Sequence, residues 1–86
     1  MYVIEDEIHA EVCGEFSDFE GAVVELKSRA RIQWDSPPNR CPCQSWTTCG
    51  REYAIVEYDD TQTPWTQLSR KTMLSVSRSG AVWHQQ

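Results

Sequence analysis

Ser17-Asp18-Phe19-Glu20-Gly21-Ala22-Val23-Val24-Glu25-Leu26-Lys27-Ser28-Arg29-Ala30-Arg31 is the clearest helical stretch of this 86-residue chain. Phe19, Ala22, Val23, Leu26 and Ala30 recur at three- and four-residue intervals and line one apolar stripe. Ser17 and Glu20 fit a capping box, in which each side chain satisfies a backbone N–H of the other's residue. Acids fall in the first turn, and Lys27, Arg29 and Arg31 near the end, as the helix dipole prefers. Pro37 and Pro38 forbid continuation. The spacing predicts a helix over 18–31 that buries Phe19, Val23 and Leu26. A single one-sided helix needs a surface to cover, and the flanking sequence supplies one.

Before the helix, Ile8, Ala10 and Val12 alternate with Glu7, His9 and Glu11, the pattern of a half-exposed strand. Ile4, Ile8 and Val12 are also four apart, with Gly14 where a helix C-cap would fall, so residues 3–13 admit a helix as well. Strand is the preferred reading. Arg51 to Tyr58 is rich in β-formers and carries apolar residues on both faces, as a central strand does. Asp59 to Pro64 is a polar connection. Met73–Ser77 and Ala81–His84 flank a Ser79-Gly80 turn and form a hairpin. The order is β-α-β-β-β: one α+β domain over 1–86, with an antiparallel C-terminal meander and one helix packed on the sheet. Many small α+β domains share that layout, so it carries no functional information. The hairpin edge at Ala81–His84 can add to another sheet, which leaves monomer and homodimer both open.

A core in so short a chain is small, and large rings help to fill it. Trp34, Trp46, Trp65 and Trp83 are therefore expected to be mostly packing residues. No apolar run approaches the roughly 18 residues of a membrane helix. The start, Met1-Tyr2-Val3-Ile4-Glu5-Asp6-Glu7, lacks the features of a secretory signal, so the chain reads as cytoplasmic with reduced thiols. The net charge of −5 is uneven: residues 1–25 hold eight acids and no Lys or Arg. Such a chain repels phosphate backbones, which argues against nucleic acid as a partner. Its acidic third, through Glu5, Asp6, Glu7 and Glu11, suits a basic protein partner instead, although a solvated face that keeps the chain dissolved is the plainer reading.

Residues 35–50 form a connection of sixteen residues without evident secondary structure, long enough that something must hold it. It contains Cys41, Cys43, Trp46 and Cys49. Three arrangements suit these residues. Trp46 and one or two cysteines can tuck into the core, the plainest reading, which needs no cofactor. Cys41, Cys43 and Cys49 can bind zinc with Cys13, His9 or His84 as fourth ligand, although one C-x-C and a single later Cys is not the usual paired spacing. Cys43 and Cys49 can pair under oxidation, with Arg40 and Arg51 lowering a thiol pKa. Catalysis has little support: His9 and His84 are the only histidines, Asp59-Asp60 reads as a turn, and no phosphate loop or nucleophile elbow occurs. The chain is thus expected to be a small non-enzymatic protein-binding module contacting its partner through Glu5, Asp6, Glu7, Glu11, Trp46 and Arg51. A zinc-stabilised module or a thiol redox switch is the alternative.

Overall fold

The computed structural model describes residues 1–44 and 49–84. Five strands and one helix follow in the order β1 (Tyr2–Asp6), β2 (Glu11–Phe16), α1 (Phe19–Arg29), β3 (Arg51–Asp59), β4 (Thr66–Ser77) and β5 (Gly80–Trp83). All neighbouring strands are antiparallel, in the spatial order β2-β1-β3-β4-β5, and α1 packs on the β2, β1 and β3 side of one sheet face. The α+β class, the single helix on the sheet and the C-terminal antiparallel meander follow the sequence reading. None of the described helices is long and apolar enough to cross a membrane.

The N-terminal segment is a hairpin, where one strand was expected. Ile8 and Ala10 sit in the turn between β1 and β2, with Ala10 in the left-handed region at φ 52°. The alternation that suggested a strand therefore spans a turn, and Ile8 is left half exposed. Val12 does continue into β2, but as an edge residue it is 60% exposed. β1 becomes an inner strand between β2 and β3, which explains why Val3 and Ile4 are both buried.

The helix is shorter than 18–31 and begins one residue later than its capping box suggested. Asp18 is the N-cap; its carboxylate accepts from the Gly21 N–H at 2.7 Å. A capping oxygen serves the third helical N–H, and Asp18 is one residue better placed for it than Ser17. Ala22 and Leu26 are fully buried and Val23 packs beside them, whereas Phe19 is 37% exposed and meets Tyr2 edge-on at 5.9 Å. The helix ends where Asn39, itself buried, donates to the Arg29 and Ile32 carbonyls, both at 2.8 Å. Those are backbone acceptors that a helix end leaves without partners.

The core is built from Ile4, Ala22, Leu26, Tyr53, Ile55, Leu74 and Val76. No tryptophan among the described residues is fully buried. Trp34 is half-buried against the core, Trp65 lies near Tyr58 with ring centroids 5.9 Å apart, and Trp83 stands on the edge strand. Trp46 lies outside the described residues. Tyr53 takes the central place that the tryptophans were expected to fill, because the middle of β3 faces the helix and the edges do not.

Candidate metal centre

The turn after β1 and the long loop before β3 meet at the same end of the sheet, because β1 and β3 are antiparallel neighbours with Asp6 opposite Tyr53. His9 comes from the turn; Cys41, Cys43 and Cys49 come from the loop. Their ligand atoms all lie within 4.8 Å of one another. His9 Nε2 is 3.1 Å from Cys49 Sγ, and Cys41 Sγ is 3.1 Å from Cys43 Sγ. Zinc–thiolate bonds of about 2.3 Å place tetrahedral sulfurs about 3.8 Å apart. Separations from 3.1 Å to at most 4.8 Å bracket that value. Cys41 is buried and the other three are partly shielded, so the group sits below the surface.

Behind His9 lies a fully buried carboxylate. His9 Nδ1 donates to Asp6 Oδ2 at 2.5 Å, which fixes the proton on Nδ1 and turns the Nε2 lone pair toward the sulfurs. This carboxylate–imidazole–metal arrangement is how proteins orient a ligating histidine and raise its basicity. Asp6 is itself held: its Oδ1 accepts from the Ile8 and Glu52 N–H groups at 3.0 and 3.2 Å, and Arg51 Nη1 donates to Oδ2 at 3.1 Å.

Arg51 joins the two walls of the site. Its Nε donates to the Asn39 carbonyl at 3.1 Å and its Nη2 to the Arg40 carbonyl at 2.9 Å, while Nη1 also reaches Glu11. One guanidinium thus ties the approach to Cys41 onto β1 and β2, using the fixed fork that lysine lacks. Gly50 sets the other approach. A Cβ there would meet the Val76 carbonyl at 2.5 Å and Ser77 Cβ at 3.0 Å, so only glycine lets the chain pass β4 this closely beside Cys49.

Cys49 and His9 are both held toward their protonated forms. Burial, and then hydrogen bonding with Cys43 and Cys41, push the Cys49 thiol up to about 12. The hydrogen bond to Asp6 raises His9 above the usual histidine range, against burial and with help from Cys43. Crowded thiols resist becoming neighbouring thiolates, and a dication among them inverts that logic by favouring the deprotonated forms.

Of the three fourth-ligand candidates, the structure brings only His9 to the three loop cysteines. Cys13 is not part of the group; it packs against the core from β2, where its thiol donates to the Glu11 carbonyl at 3.6 Å. His84 lies beyond β5 with Nε2 2.7 Å from Ser75 Oγ. The residues read as partner contacts also have internal duties. Glu5 and Glu7 accept from Arg70, and Glu7 from Thr72; Glu11 and Asp6 accept from Arg51. Asp6 and Arg51 are buried, so neither presents a side chain to a partner. Asp6, Asn39 and Gly50 were missed as supports of the site. A faint signal existed for Asp6 alone, an acid three residues before a histidine, which is common without any such role.

Compared with protein-family models, with curated proteins and with solved structures, the chain has no match.

Proposed function

We propose that the chain is a small zinc-binding module in which His9, Cys41, Cys43 and Cys49 hold one ion that fastens the 35–50 loop to the sheet. The observation that carries this reading is the meeting of four soft-to-borderline ligand atoms, from two distant segments, within 4.8 Å. Three sulfurs and one imidazole nitrogen suit tetrahedral zinc, and the buried Asp6 supplies the outer partner that a ligating histidine needs. Four protein ligands close the coordination sphere and leave no position for water or substrate, so the ion is structural and not catalytic. Its use is contact with another protein through the fastened loop, where Arg40, Pro42 and Gln44 are exposed. That surface replaces the acidic set, whose carboxylates are already engaged within the fold.

Native mass spectrometry with elemental analysis tests the reading. One zinc per chain is expected, lost in Cys43→Ser and retained in Cys13→Ser. Absence of metal from freshly purified protein, with unchanged melting in excess chelator, would sink it. A mass lower by two hydrogens would favour a disulfide-forming thiol pair in its place.

A further inference from the structure

The two edges of the sheet are not alike. β2 carries Glu11 and Glu15, and its pairing with β1 is bulged between Ile4 and Glu5, both of which discourage a further strand. β5 is flat in register with β4 and presents Ala81-Val82-Trp83, with Val82 59% and Trp83 43% exposed. Its length carries no charge, bulge or proline. Among the described residues no strand pairs with its outer side.

The backbone phase of that edge is set. The His84 N–H donates to the Met73 carbonyl of β4 at 2.9 Å. Backbone groups in an antiparallel ladder alternate between inward and outward along a strand. His84 and Val82 therefore face β4, and Ala81 and Trp83 turn their N–H and C=O groups outward. The side chains follow a matching rule. Trp83 and Ala81 pair with Leu74 and Val76, which belong to the core under the helix, so both lie on the helix-bearing face. On that face a cavity of about 440 Å³ opens beside Ala81, walled by Ala30, Ile32, Trp34 and Val76 together with the polar Arg31, Gln33 and Asp35.

We infer that β5 is a homodimer interface, in which a second copy pairs antiparallel across a two-fold axis at Val82 to make one continuous ten-stranded sheet. In that register Ala81 stands opposite Trp83 of the second copy and exchanges backbone hydrogen bonds with it, and Trp83 does the same with Ala81 of the second copy. The exposed tryptophan of each copy then overhangs the small residue beside the other's cavity, a self-complementary knob and hole as a two-fold interface requires. Val82 meets its own symmetry mate, apolar against apolar. Because β2 is protected, association closes at two copies and does not run on into a fibre.

Sedimentation velocity and light scattering over a concentration series test this. The expected mass is twice the 9.9 kDa of one chain. Val82→Lys and Val82→Glu each place like charges face to face and are expected to sediment as monomers with unchanged circular dichroism. An equimolar mixture of the two is expected to return to the dimer mass. A wild-type monomer at every concentration, a Val82→Lys variant that still dimerises, a mixture that stays monomeric, or species growing beyond two copies would each overturn the inference.

Discussion

β3 has two unlike ends, and they are ordered by opposite means. At its start, Arg51 enters from a loop whose described residues form neither strand nor helix, yet Asn39, Cys41 and Arg51 are buried and bonded on several sides. At its finish, past a bulge between Glu57 and Tyr58, the strand runs into a hydrogen-bonded arm with β4, yet every residue from Asp60 to Lys71 is exposed. The arm follows the backbone ladder, the rings of Tyr58 and Trp65, and a turn in which Asp59 accepts from the Thr61 N–H at 3.0 Å. The loop follows side chains: a guanidinium, an amide, a carboxylate and, on the reading proposed here, an ion. Regular secondary structure and burial are thus separate sources of order, and a perturbation of one end should leave the other untouched.

Metal removal is the strongest way to break this comparison. Structural zinc contributes an apparent 10–16 kcal/mol in small peptides. Here the helix and sheet keep their own core, so a loss of about 5 kcal/mol is expected, a fall of roughly 20 °C or more in melting temperature. Hydrogen exchange should quicken at 35–44 and at Cys49–Arg51 while the arm stays as it was. Equal acceleration at both ends would mean that the two are one cooperative unit.

Asp6→Ala comes next. It leaves Arg51 with only the half-exposed Glu11 as counter-charge and removes the acceptor of the Ile8 and Glu52 N–H groups, and should cost about 1–3 kcal/mol. Removing the partner of His9 should also weaken metal affinity about 10–100-fold. Denaturant unfolding and a competitive zinc titration measure the two effects, and a stable variant with intact affinity would remove Asp6 from the site. Gly50→Ala should cost about 1–3 kcal/mol, since the Val76 carbonyl must yield to the new methyl group. Its zinc affinity should fall as well, because Cys49 is the next residue.

At the arm the effects are smaller. Burial would raise the Glu5 carboxyl, but hydrogen bonds from Tyr58 at 2.6 Å and Arg70 at 2.7 Å outweigh it and hold the pKa below the usual range. A group depressed in the folded state stabilises above its unfolded pKa and loses that contribution as pH falls through the folded value. Glu5→Gln should therefore cost about 1 kcal/mol at neutral pH and progressively less in acid below about pH 4. A penalty that stays constant down to pH 2 would mean that the charge is not the cause. Leu68→Ser, on the exposed arm, should stay within about 0.5 kcal/mol of the parent. A larger loss would show that the arm is packed against something after all.

Local patterning determined the α+β class, the helix stripe at Ala22, Val23 and Leu26, the central strand at 51–58 and the Ser79-Gly80 turn, where Gly80 adopts φ 114°. These are readable because each depends on neighbours a few residues away. The same kind of reasoning marked Cys41, Cys43 and Cys49 as a group that something must hold. Only the tertiary structure decided the rest. His9 joins the cysteines because antiparallel pairing of β1 with β3 folds a turn back over a loop some forty residues on, and no local period encodes that return. Asp6 and Arg51 look like surface charges in the sequence; they are buried because each supplies what the other lacks in a dry place, a match visible only once the strands lie side by side.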